Sequence, residues 1–165
     1  MCLSSLNDKQ KTELYAAKRY ISFLGYPFSD NDFCFPEECS PIDVLFKPKN
    51  IKMQVTSYDG GPNKLHKNGE YSWSVSLNEV AKLYIEPIFK KFKCYGGGSA
   101  IFDTVLLINL TKKIGLNDTF EKSIDLNREI ILDISKKSGF KSIYLVFDFK
   151  GEILPIYVRK DDNEN

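Results

Sequence analysis

Apolar residues recur along this chain with two different periods. Over residues 8–24, Leu14, Ala17, Ile21 and Leu24 stand three or four positions apart, the stripe of an amphipathic helix. Asp8 suits its first turn, and Gly25 followed by Pro27 stops it. Glu13 lies one turn before Ala17 and flanks the apolar stripe, where an outward-facing position would have carried the charge without cost. From residue 32 the period changes. DFCF is a short strand candidate ending at Pro36, and PIDVLFKPKNIKMQVTS (41–57) holds two alternating runs around a polar break.

With Lys47-Pro48-Lys49-Asn50 as a type I turn, Phe46 faces Ile51, Leu45 faces Lys52, Val44 faces Met53 and Asp43 faces Gln54. Val44, Phe46, Ile51, Met53 and Val55 then share one apolar face; Asp43, Leu45, Lys52, Gln54 and Thr56 share the other. Opposed Cβ atoms lie about 4.5–5.5 Å apart, so Asp43 and Gln54 converge on one small volume near Thr56. Oxygen donors so gathered suit a hard cation. A half-exposed hairpin with a wet face would carry the same residues without any function, and the two readings stand side by side at this point.

Beyond the hairpin, residues 57–74 form a long polar segment with Gly60, Gly61, Pro62 and Gly69, a length that is uncommon inside a compact domain. Ser76-x-x-Glu79 opens a second helix that runs to about Cys94, with a kink expected before Pro87 and a stop at Gly96-Gly97-Gly98. Residues 103–110 (DTVLLINL) read as a buried strand, 121–138 as a third helix ended by Gly139, and 142–149 with 152–158 as a closing hairpin. Pro155 makes the last strand an edge, and the acidic tail at 161–165 is expected to be disordered. The order is helix, three strands, helix, strand, helix, two strands: an α/β fold with a mixed β-sheet flanked by helices, in a single domain over 1–165.

Composition adds little to this pattern. A 165-residue chain with 42% hydrophobic and 27% charged residues suits one globular domain, and a net charge of +1 does not announce a nucleic-acid binder. Basic character is local, as at Lys90, Lys91 and Lys93 or Lys112 and Lys113, and such clusters are commonly solvated helix ends. No apolar run reaches the roughly 20 residues of a membrane helix and no signal peptide opens the chain, so a cytoplasmic protein with no membrane contact is expected. Cys34, Cys39, His66 and Cys94 fit no usual zinc spacing, and buried or isolated reduced thiols are the simpler reading.

The Pro41-Ile42-Asp43 and Gln54-Val55-Thr56 triplets, with Glu13 on the preceding helix, resemble the PD-(D/E)XK nuclease superfamily, which has the restriction-endonuclease-like fold. The likeness covers an αβββαβ core at about 8–110, leaving 111–160 as an extension. It implies Mg²⁺ or Mn²⁺ held by Asp43, Gln54, the Val55 carbonyl and Glu13, and hydrolysis of phosphodiester bonds, of DNA by default. A homodimer is also expected from it. Thr56 stands where that family carries lysine, and a hydroxyl brings no charge to the developing phosphate. Lys52 on the same face, or Lys64 or Lys67 from the polar segment, are the candidates to replace it. Lys64, Lys67, Lys90, Lys91 and Lys93 are the expected phosphate contacts, and Tyr71 and Trp73 the residues able to stack on a base. The alternatives are a catalytically inactive domain of that fold, binding nucleic acid or a protein partner, and an unrelated α/β domain with a merely solvated polar face.

Overall fold

The alternating runs pair into one sheet because each has an apolar face to bury on each side. A computed structural model describes residues 6–36, 40–58, 77–95, 101–110, 118–147 and 152–160. Helix α1 (Asp8–Phe23) precedes strands β1 (Phe33–Cys34), β2 (Val44–Phe46) and β3 (Ile51–Tyr58). Helix α2 (Leu77–Tyr95), strand β4 (Thr104–Leu110), helices α3 (Asp118–Leu126) and α4 (Arg128–Ser138), and strands β5 (Ser142–Phe147) and β6 (Ile153–Val158) follow. The six strands lie in the order β1-β2-β3-β4-β5-β6. β1, β2 and β3 pair antiparallel, β3, β4 and β5 parallel, and β6 closes antiparallel on β5.

The two parallel junctions need crossovers, which α2 and the α3–α4 pair supply. Both pack on one face of the sheet, where Tyr84, Ile88, Phe120 and Ile131 meet Leu106, Ile108, Ile143 and Phe147. Helix α1 covers the other face, with Leu14, Ala17, Tyr20 and Ile21 against Val44, Phe46, Met53, Val55, Val105 and Leu107. β4 and β5 are buried along their whole length, as parallel strands covered on both faces must be. The result is a three-layer α/β domain with a mixed sheet. None of the described helices is long and apolar enough to cross a membrane.

The hairpin has the expected register, with Phe46 opposite Ile51, Leu45 opposite Lys52 and Val44 opposite Met53. Its turn is a single 3₁₀ turn, Lys47–Lys49, after which Asn50 takes a left-handed conformation at φ 51°. An Asn side chain tolerates that region better than most. The start of α1 is held by Asn7 rather than by Asp8 alone. Gln10 N–H donates to Asn7 Oδ1 at 2.8 Å, and Asn7 N–H to Gln10 Oε1 at 3.1 Å, a reciprocal cap.

One expectation changes. The helix anticipated over 121–138 is two helices that part at Asn127, whose side-chain amide donates to the Ser123 carbonyl at 2.8 Å. A side chain that engages the backbone four residues earlier competes with the helix it sits in. Gly139 ends the second helix at φ 83°, as its sequence position suggested. Helix α2 runs from Leu77 to Tyr95 with Pro87 inside it. The capping box at Ser76, the long polar segment and the acidic tail lie outside the described residues.

Phe46 is wholly buried between Phe33 and the α1 face, its ring centroid 5.2 Å from that of Phe33. Phe46→Ala should lower the unfolding free energy by about 3–5 kcal/mol, measured by urea denaturation. A loss under about 1 kcal/mol would contradict this packing.

Candidate functional site

The ladder between β2 and β3 ends at Val44–Met53, one residue before Asp43. Asp43 N–H still donates to the Met53 carbonyl at 3.0 Å, while its Oδ2 accepts the Val55 N–H at 2.8 Å. Asp43 therefore straddles Gln54 instead of standing directly opposite it. Its carboxylate takes the amide that a longer β2 would have taken with a carbonyl, so the two strands part here and leave a cleft. The carbonyl of a strand residue points to the same side as its N–H, so the Val55 carbonyl is directed towards Asp43 as well.

Gln54 points to the α2 side and is 1% exposed. Its Nε2 donates to Tyr95 Oη at 2.8 Å, while its Oε1 is buried with no hydrogen-bond partner. Buried polar atoms are nearly always paired, so this oxygen is an acceptor with capacity left for a cation, a water or a ligand proton. From the other layer, Glu13 comes off α1 only 6% exposed. Lys9 Nζ lies 3.3 Å from Glu13 Oε1, an ion pair without a well-directed hydrogen bond, since that oxygen too has no hydrogen-bond partner.

These side chains surround two adjoining cavities of about 450 Å³ each. Both are lined by Lys9, Glu13 and Lys91; Asp43, Gln54 and Tyr95 add to one, and Val55, Thr56 and Ser57 to the other. The site thus sits at the C-terminal end of β3, where parallel strands in α/β folds usually present ligand sites. Of the residues anticipated from sequence, Glu13, Asp43, Gln54, Val55 and Thr56 all reach this one place. Lys52 does not: it lines a separate cavity with Tyr26, Lys49, Asp103 and Lys141, towards the C-terminal end of α1. Lys64, Lys67, Tyr71 and Trp73 lie outside the described residues, as do Cys39 and His66 of the zinc set; Cys34 and Cys94 are free thiols.

The expected lysine cluster on α2 divides. Lys90 and Lys93 are exposed, Lys93 lying 4.9 Å from the Phe89 ring centroid, whereas half-buried Lys91 turns into both cavities. Sequence reasoning named Lys91 with Lys90 and Lys93 as a phosphate contact and did not separate it from those exposed neighbours. The signal was present: Lys91 falls in the stripe Tyr84, Ile88, Lys91, Tyr95, at helical spacing on the face that meets the sheet.

The electrostatics follow from burial. Desolvation pushes the Glu13 carboxyl above its ordinary range, the charge of Asp43 pushes the same way, and Lys9 and Lys91 oppose both. Burial pulls the Lys91 amine below the usual lysine range, against the charge of Asp43. Lys9, mostly exposed, is raised by Glu13. Two carboxylates and an amide oxygen are hard donors suited to Mg²⁺ or Mn²⁺. Among the described residues no three acidic, His or Cys side chains gather, so a cation here would draw on the Gln54 amide and the Val55 carbonyl as well.

No known family model matches the chain, and no curated protein matches it. In fold it is similar to a solved structure of a protein of unknown function from Pseudomonas aeruginosa strain PAO1, described as belonging to the monooxygenase superfamily. That likeness has a TM-score of 0.55 at 16% identity, over 96% of this chain and 77% of the other. At that identity the likeness concerns the fold alone. The resemblance to the PD-(D/E)XK nucleases is thereby corrected: the fold likeness found is with a member of a different superfamily, and no family match supports the motifs. The physical reason is that P-x-D and Q-x-T are each three residues long. They place polar groups on a hairpin, which many unrelated α/β sheets can do.

Two measurements check this geometry. Because the folded chain holds the Glu13 proton more tightly than the unfolded chain, that proton favours folding at pH below the ordinary glutamate range, and the benefit is lost as pH rises through the raised value. Glu13→Gln should therefore raise the melting temperature at neutral pH, with the gain shrinking as the solution is acidified; a pH-independent difference would contradict it. Tyr95→Phe strips the buried Gln54 amide of its acceptor and should cost about 1–3 kcal/mol by chemical denaturation. Adding Gln54→Met should recover much of that loss, since neither partner is then left unpaired.

Proposed function

We propose that the protein hydrolyses phosphodiester bonds of nucleic acid, DNA by preference, at the paired cavities between α1 and α2, with Mg²⁺ or Mn²⁺ as cofactor. The observation that carries this reading is that Glu13, Asp43 and the almost wholly buried Gln54 line one cavity. Asp43, Gln54, Glu13 and the Val55 carbonyl would hold the cation. Bound there, it would supply Lewis-acid polarisation of a phosphate and a more acidic water.

The chain's own residues do the rest. The Val55 N–H fixes the Asp43 carboxylate in place, and the hydrogen bond to Tyr95 Oη fixes the orientation of the Gln54 amide. Lys9 and Lys91 bring positive charge to a phosphate entering between the helices, the role that Thr56 cannot fill. Thr56 offers a hydroxyl to a phosphate oxygen or to water from the same wall. Lys90 and Lys93, exposed on α2 near this cleft, suit contacts to flanking phosphates.

Incubating supercoiled plasmid with the protein and Mg²⁺ or Mn²⁺ tests the reading by the appearance of nicked and linear forms. Asp43→Ala should lower cleavage at least about 100-fold with its circular dichroism unchanged, while Lys52→Ala should cleave like the wild type. Cleavage that survives Asp43→Ala would sink the assignment. Cation binding with no cleavage of DNA or RNA would leave a binding domain instead.

A further inference from the structure

Lys91 is an unusual lysine for its surroundings. It is half-buried at the end of α2, its Nζ 5.8 Å from the Tyr95 ring centroid, and it makes no close ion pair with a described residue. Burial works against its charge, yet it lines both cavities together with Glu13, and one of them with Asp43. The charge of Asp43 favours the Lys91 ammonium, and Lys91 in turn favours the Glu13 carboxylate. A half-buried ammonium that shares its cavities with two carboxylates does electrostatically what a divalent cation would do there. It offsets their mutual repulsion.

We infer that Lys91 is the site's internal counter-ion: its side chain occupies the electrostatic position of the cation and competes with it, so that loading the site displaces Lys91 towards the cavity mouth. This rests on the cation reading of the site given above. The long, flexible lysine stem allows the movement, since four rotatable carbons carry the charge outward without moving α2. Displacement also delivers the ammonium to the side from which a phosphate enters. One residue thereby offsets the carboxylates' repulsion in the metal-free protein and meets the substrate once a cation is bound. Lys9 differs in kind. Its side chain is 78% exposed, so water and salt screen its charge and it leaves Glu13 easily.

Two measurements on the intact protein test the inference. The first is Mn²⁺ binding by calorimetry for the wild type, Lys91→Met and Lys9→Met. Removing the competing charge should tighten Mn²⁺ binding about tenfold in Lys91→Met and distinctly less in Lys9→Met. Unchanged or weaker binding in Lys91→Met, or an equal gain in Lys9→Met, overturns the inference while leaving the cation site standing. No Mn²⁺ binding by any of the three overturns the cation reading itself, and the competition with it. The second is a metal-free stability cycle of Lys91→Met and Asp43→Asn. Lys91→Met should destabilise the protein less when Asp43 is already neutral; strictly additive effects overturn the inference. Should Lys91→Met fail to fold, Lys91→Gln runs both measurements with a side chain that can hydrogen-bond to the same carboxylates.

Discussion

The hydrogen bond from the Val55 N–H to the Asp43 carboxylate decides where everything else in the site can be. A β2 strand that continued past Val44 would zip Gln54 and Val55 into the ladder and close the cleft. By accepting the amide itself, Asp43 ends the pairing without leaving a buried donor unsatisfied. The cleft then opens at the C-terminal end of β3, between the start of α1 and the end of α2. Sheet order sets this meeting point. The crossover from β3 to β4 must run on one face, and α1 is left to cover the other.

Around that opening the molecule tolerates polar burial that a core alone would not keep. Glu13 is almost wholly covered, Gln54 more so, and each has an oxygen without a hydrogen-bond partner. Such groups oppose folding, since desolvation is repaid only when charges are paired and hydrogen bonds are made. Elsewhere in the same layer the fold uses apolar side chains freely, as at Val44, Met53 and Val55, so polarity at Glu13 and Gln54 is not imposed by packing. Clustered, partly satisfied polar groups in a cavity are where strain and function usually coincide.

Much of the architecture was legible because its cause is local. The hairpin register follows from strict alternation, and a slip of one residue would have mixed its apolar and polar faces. The continuous apolar run of β4 announced a strand covered on both faces, and Gly139 marked a helix end that only a residue free at positive φ fills well. The break at Asn127 was not legible, since Asn lies only slightly below its neighbours in helix propensity and its side-chain bond to Ser123 depends on the turn it creates. The family assignment failed for a related reason. Short polar triplets report what a hairpin face carries, and ancestry leaves its mark over far longer stretches.

By itself the sequence determined the elements, the faces of the hairpin and the candidacy of Glu13, Asp43, Gln54 and Thr56, because periodicity and side-chain chemistry act within a few residues. Tertiary structure alone decided which of the many lysines mattered. Lys52 shares a strand with Gln54 yet lines another cavity, whereas Lys91, 37 positions beyond Gln54 in the chain, turns into the site. A lysine's stem reaches several ångströms from its backbone, so its charge goes where the packing of whole elements directs it. That direction came from the docking of α2 across β3, a non-local contact that no stretch of residues around Lys91 encodes.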